Sequence, residues 1–295
     1  MAKILSVPNF SEGSSKEILE GILAPIRQIV GVKLVDYSSD PDHNRSVVSL
    51  IGEPEPLLEA LIQASRKAVE LINLNNHRGE HPRCGAIDVI PLIPLQDVSI
   101  EECIQYAHKL GEILANELKL PVYFYGEAAL KEERKDLSEV RRGGLEAIRE
   151  DIKRGQRLPD LGPPEPHPTA GCVIIGVREF LVAFNVNLAT PKLEIAKRIA
   201  SAIREKGGGL LGVKALGINL ASRGIVQVSM NITMPFKTPL YRVFEMVKME
   251  AKRYGVEVES TELIGPVPLQ VLLDTLSYYL LLRDFKIEQV IDIHL

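Results

Sequence analysis

Leu158-Pro159-Asp160-Leu161-Gly162-Pro163-Pro164-Glu165-Pro166-His167-Pro168 is the stretch that organises this chain. Proline fixes φ and removes a backbone donor, so prolines at this density exclude both helix and sheet. The stretch reads as a seam. On its N-terminal side the periodicity gives a strand at about 3–8 and a helix from Ser15, opened by a Ser14-x-x-Glu17 capping box. Strands follow near 32–38 and 46–52, then a helix that Pro54 and Pro56 open and that runs through Ile72, then a strand from Ile87. That order is β-α-β-β-α-β, the split βαβ or ferredoxin-like arrangement. A helix over about 99–118 and a strand at Val122–Tyr125 come next, and the charged run from Lys131 to Arg157 reads as solvated helix.

Beyond the seam, Cys172–Val177 and Leu181–Leu188 are strand-like. A helix at about 191–205, strands at 213–220 and 225–232, a helix at 239–254 and an extended Val256–Ile264 repeat the β-α-β-β-α-β order from 181 onward. The fold class is therefore α+β with two ferredoxin-like subdomains, assigned to 1–177 and 178–295. No residue-level repeat links them, so the duplication is one of architecture. Gly207-Gly208-Gly209 follows a helix instead of joining a strand to a helix N-terminus, so it reads as a turn, not a phosphate loop.

Chemistry concentrates in His77-Arg78-Gly79-Glu80-His81-Pro82-Arg83-Cys84-Gly85-Ala86-Ile87-Asp88, just before the apolar run Val89–Leu95. Histidine exchanges protons near neutral pH, and so dense a polar cluster beside a strand reads as an active-site loop. His77-x-x-Glu80-His81 also matches the inverted zinc-protease signature, which makes a zinc hydrolase the alternative in a different class. That motif needs a helix, and Gly79 and Pro82 both oppose one. No metal site is expected. Cys84 is a candidate nucleophile, with a small packing residue as its plainer role.

A net charge of −4 and the absence of a Lys/Arg block argue against general nucleic-acid binding, which draws its affinity from a basic face. The cysteines (Cys84, Cys103, Cys172) are odd in number and in no metal pattern, which suggests a reducing compartment. No secretory signal and no apolar run of about 18 residues is present, so a cytoplasmic protein without a membrane partner is expected.

Val7-Pro8-Asn9-Phe10-Ser11-Glu12-Gly13, Asp42-His43-Asn44-Arg45-Ser46-Val47, Gly79-Glu80-His81-Pro82-Arg83, Ile87-Asp88-Val89, Tyr123-x-Tyr125-Gly126-Glu127-Ala128, Ala183-Phe184-Asn185-x-Asn187-Leu188 and Leu263-Ile264-Gly265-x-Val267-Pro268-Leu269 together resemble the formiminotransferase family. The likeness runs nearly end to end. It implies two α+β subdomains with stacked sheets, outer helices and a positively charged tunnel, assembled as a homodimer. The implied reaction moves a formimino group from N-formimino-L-glutamate to N5 of tetrahydrofolate, a cosubstrate, with no tightly bound cofactor. The chain ends before a cyclodeaminase domain could begin, so a stand-alone transferase is expected.

The resemblance puts the general base and acid on His81, with Glu80 or Asp40 orienting its ring. Asn9, Glu12, Asp40, Asn44, Arg45, Glu80 and Arg83 become substrate-binding candidates. Guanidinium grips carboxylate in a bidentate fashion, which suits Arg45 and Arg83; salt bridges to Asp36, Asp40 or Asp88 are the structural alternative. Asn9 and Glu12 have an alternative role in satisfying a turn or helix end. Folate contacts fall on Gly162, Pro163, Pro164, Thr169, Ala170, Gly171, Lys197 and Arg198. Within the family, formyl transfer from N-formylglutamate is the alternative reaction.

Overall fold

The computed structural model describes residues 1–41, 43–79, 82–220 and 223–294. They form two compact units, Met1–Arg178 and Glu179–Leu295. The first opens with β1 (Lys3–Ser6), β2 (Asn9–Phe10), α1 (Lys16–Ile26), β3 (Val32–Asp40), β4 (Arg45–Gly52), α2 (Pro54–Leu71) and β5 (Ile87–Gln96). β1 and β2 are one strand line broken around Pro8, and each pairs antiparallel with both β4 and β5. The resulting order β3–β4–β1/β2–β5 is that of a βαββαβ unit. Residues Ile87 to Ile93 of β5 are buried without interruption, as befits a central strand covered on both faces.

The unit then continues with α3 (Ile100–Leu118), β6 (Val122–Gly126), α4 (Leu137–Val140), α5 (Gly144–Lys153) and β7 (Val173–Val177). Ser99 and Glu102 cap α3 reciprocally. The seam reading requires correction here. β7 lies between β5 and β6 and runs parallel to both, with Ile174 opposite Val89 and Tyr123. The proline-rich stretch is therefore a crossover inside the first unit. Poor in its own donors, it borrows from its neighbours: Tyr123 Oη donates to Arg157 O (2.7 Å), Arg134 Nη2 to Leu158 O (2.6 Å) and Val122 N to Leu161 O (2.9 Å). Arg134 and Asp160 form a buried ion pair at 2.5 Å, and Asp160 also accepts from Phe124 N.

Two local expectations also fail. The charged run is not one helix but a 3₁₀ turn (Glu132–Arg134) followed by α4 and α5, broken where Gly143 and Gly144 adopt positive φ. Ser15, not Ser14, caps α1, accepting from Ile18 N at 3.3 Å.

The second unit contains β8 (Val182–Leu188), α6 (Leu193–Ile203), β9 (Val213–Leu220), β10 (Ile225–Ile232), α7 (Leu240–Arg253), β11 (Val258–Ile264) and α8 (Leu269–Leu280). Its antiparallel sheet runs β11–β8–β10–β9, again the βαββαβ order. Val182, Phe184, Val186 and Leu188 alternate inward and share a core with Ile199, Ile203, Val243 and Val247. The opposite sheet face holds a polar cluster: Asn187 and Gln227 are buried there and hydrogen-bond each other and Glu262. The triple glycine begins within a short 3₁₀ turn (Glu205–Gly207) after α6, with Gly208 at φ +84°, consistent with a turn. Among the described residues no helix is long and apolar enough to cross a membrane.

Candidate functional site

The parallel strands β5, β6 and β7 start along one edge of the first sheet, with Val122 paired to Val173 and Val89 to Ile174. The histidine-bearing loop feeds β5 and the proline-rich crossover feeds β7, so strand pairing brings the two loops together. Backbone bonds join them: Cys172 N to Cys84 O, Ala86 N to Ala170 O and Leu74 N to Thr169 O, each 2.8 Å. Thr169, Ala170 and Gly171 thus stand against the histidine loop. Gly162 lies apart, against Leu120, at φ +85°. His81 and Glu80, the expected base and its neighbour, lie outside the described residues.

Upstream of that pair, Asn44 gathers three loops. It sits in the left-handed region (φ +47°), a conformation asparagine tolerates better than most residues. Its Oδ1 accepts from Gly13 N (2.9 Å) and its Nδ2 donates to Arg78 O (2.8 Å). His77 Nε2 donates to the Asn44 carbonyl (2.9 Å). Gly79 packs so closely that a Cβ there would lie 2.9 Å from Asn44 Cβ. His77-Arg78-Gly79 are irregular, not helical, so the first ligand of the zinc-protease signature lacks the helical face that motif needs. A carbonyl only accepts, so the His77 proton is on Nε2, and burial holds the ring's pKa below 6.5.

Burial likewise lowers His167, whose Nδ1 accepts from Ala170 N (3.0 Å) and Thr169 N (3.3 Å). Both rings are harder to protonate in the fold than in the unfolded chain, so the unfolded chain binds more protons once pH drops below about 6.5. Their contribution to stability is complete above that value and is lost as pH falls from it toward the lowered native values. The melting temperature is expected to fall on acidification through this window. His167→Asn keeps an acceptor for Ala170 N without a titrating ring and should flatten part of the slope; an unchanged slope would remove His167 from the account.

Downstream, the anchor is Asp88, a carboxylate 2% exposed at the start of β5. Its Oδ1 accepts from Cys84 N (2.6 Å) and Gly85 N (3.3 Å), and its Oδ2 from Arg141 Nη2 (2.5 Å). Arg141 Nη2 also donates to Pro82 O at 2.8 Å. Burial first, then the Asp88 charge, push the Cys84 thiol far up, so this cysteine packs and does not act as a nucleophile. Burial pulls the Arg45 guanidinium pKa down, and the like charge of Arg141 adds to that. Three guanidinium groups, those of Arg45, Arg83 and Arg141, belong to this region, with Arg141 paired to Asp88 and Arg83 to Glu146.

Several candidates already have structural work. Asp40, expected with Glu80 as one of two residues that could orient His81, accepts from His43 N (2.9 Å) and Nδ1 (2.8 Å) through its carboxylate. Arg83 pairs with Glu146 (3.1 Å), not with Asp36, Asp40 or Asp88. Asn9 Nδ2 donates to Val7 O (2.9 Å) at the break between β1 and β2. Glu12 Oε1 accepts from Ser14 N and Ser15 N (both 2.7 Å), capping the entry to α1. Glu12 also lines a cleft of about 210 Å³ with Asn44, Asn73, Asn76 and His77. Lys197 and Arg198 are exposed on α6 in the second unit, with Lys197 paired to Glu194 at 2.9 Å.

Arg141 is the residue that sequence reasoning missed. A buried aspartate at the head of an apolar strand demands a counter-ion, but nothing local selects Arg141 from its charged neighbours.

Comparison with known proteins completes the picture. Residues 3–178 match the model described as "Formiminotransferase domain, N-terminal subdomain", and residues 183–294 match "Formiminotransferase domain". The chain is 44% identical to the glutamate formimidoyltransferase of Streptococcus pyogenes serotype M1 over 297 residues, covering 100% of this chain and 99% of that protein. It is 45% identical to the glutamate formimidoyltransferase of Thermoplasma acidophilum, covering 97% and 94% respectively. The mouse formimidoyltransferase-cyclodeaminase is 42% identical, with 92% of this chain matching 51% of that protein.

Proposed function

Since the chain belongs to the formiminotransferase family across both units, we propose that it transfers the formimino group of N-formimino-L-glutamate to N5 of tetrahydrofolate and releases L-glutamate. The observation that carries this reading is the 44–45% identity, over 97–100% of the chain, to two glutamate formimidoyltransferases whose own lengths are matched at 94–99%.

In this reaction the N5 lone pair attacks the formimino carbon, a new C–N bond forms and the N5 proton leaves. The bond from that carbon to the glutamate nitrogen then breaks, and the nitrogen takes up a proton. One imidazole performs both transfers if it stands between the two nitrogens, and we assign that role to His81. In support, the described residues on each side of it are anchored, by Asn44 at His77–Arg78 and by Asp88 and Arg141 at Pro82–Gly85. General acid–base help of this kind contributes about 10²–10⁴-fold; the remainder comes from holding two substrates in attack geometry. Arg45 and Arg83 supply positive charge for the donor's carboxylates. Thr169–Gly171, with Gly162–Pro164, are assigned to folate.

The test is turnover with tetrahydrofolate and either N-formimino- or N-formyl-L-glutamate. The expected product is the N5-formimino adduct, with kcat/KM at least about tenfold higher for the formimino donor. No adduct from that donor, or a preference for the formyl compound, overturns the proposal.

A further inference from the structure

We propose that Arg141 is a positioning residue for the reaction: by tying the carbonyl of Pro82 to the buried carboxylate of Asp88, it sets the backbone that immediately follows His81. The inference rests on His81 being the base assigned above.

The Nη2 nitrogen of Arg141 carries two hydrogens, and both are used. One goes to Pro82 O at 2.8 Å and the other to Asp88 Oδ2 at 2.5 Å. Asp88 turns its second oxygen to Cys84 N and Gly85 N. Residues 82, 84 and 85 are thereby referred to a single buried charge at the head of β5. Arg83 is held from the same side, with its carbonyl accepting from Leu145 N (2.8 Å) and its guanidinium meeting Glu146 (3.1 Å). The segment 141–146 thus forms a bracket under the loop.

Within that bracket, the Arg141 contact reaches the residue adjoining His81. The pair is scarcely hydrated, with side-chain exposures of 15% for Arg141 and 2% for Asp88, so water does not substitute freely for the missing donor. Misplacing a reacting group by about 1 Å costs on the order of 10²-fold in rate, which is why a contact one residue from the base matters.

Removing Arg141 alone strands the Asp88 charge and endangers the fold, so the informative variant is the double substitution Asp88→Asn with Arg141→Met. The introduced asparagine retains an oxygen for Cys84 N and Gly85 N, the opposite charges of Asp88 and Arg141 are removed together, and the tie to Pro82 is lost. In this variant kcat should fall about 10–100-fold while KM for tetrahydrofolate stays within about threefold. Hydrogen exchange at the amides of 83–86 should quicken with the rest of the first unit unchanged. Arg141→Lys, which keeps the charge and donors of different geometry, should recover part of kcat.

A kcat within about threefold of wild type, or equal losses in kcat and folate affinity together with a lowered melting temperature, overturns the proposal. The exchange measurement needs no turnover and separates the two claims. If the wild-type protein transfers nothing, the functional reading fails on its own, while unchanged exchange at 83–86 in the double variant refutes the positioning role whatever the reaction.

Discussion

His81→Ala is expected to lower kcat about 10²–10⁴-fold while tetrahydrofolate affinity changes little. The asymmetry follows from the chemistry. A base that takes the N5 proton as the C–N bond forms stabilises the transition state, and contributes little to holding the ground-state pterin. Rapid-quench turnover with saturating substrates, alongside equilibrium binding of tetrahydrofolate, reads the two quantities separately. Activity within a few-fold of wild type rejects the assignment. A parallel loss of binding shifts His81 from proton transfer to substrate contact. The buried thiol of Cys84 offers no substitute nucleophile, because burial holds it protonated.

Gly85→Ala is expected to be among the most damaging single changes in the first unit. Gly85 and Gly171 face each other where the two loops cross. A Cβ on Gly85 would overlap the Cys172 carbonyl oxygen and lie 2.8 Å from Ile87 O. Both obstacles are main-chain atoms in β5 and at the head of β7, so no rotamer relieves them. The cost should exceed about 4 kcal/mol, the range reserved for buried strain. Gly155→Ala provides the control: its φ is +71°, yet nothing lies within 4 Å of a Cβ there. That change should cost about 1–2 kcal/mol, the left-handed backbone penalty alone. Denaturant titration of both variants checks the difference, and equal stabilities would show that the loop crossing relaxes freely.

The elements themselves were largely legible. Val182, Phe184, Val186 and Leu188 alternate along β8 and are all buried. Ser99 and Glu102 announce the start of α3 and cap it reciprocally. These signals are local: burial repeats every two residues in a strand and about every 3.6 in a helix, and a cap needs a partner only three residues away. The misreadings were also local in origin. Prolines mark irregular backbone without saying whether the strands they join share a sheet, so the crossover at 158–168 read as a seam. A charged run scores as helix although Gly143 and Gly144 turn it.

The sequence by itself determined the two βαββαβ rhythms, the family, and the loop in which the chemistry is concentrated, because periodicity and contiguous motifs carry that information along the chain. Only the tertiary structure decided the partners. β7 enters between β5 and β6, Asp40 is taken by His43, Arg83 by Glu146, and Asp88 by Arg141, 53 residues away. Ion pairs and strand neighbours are chosen by closeness in space after the chain has collapsed. Any of several arginines satisfies a buried carboxylate on paper, and the packing of the loops selects one.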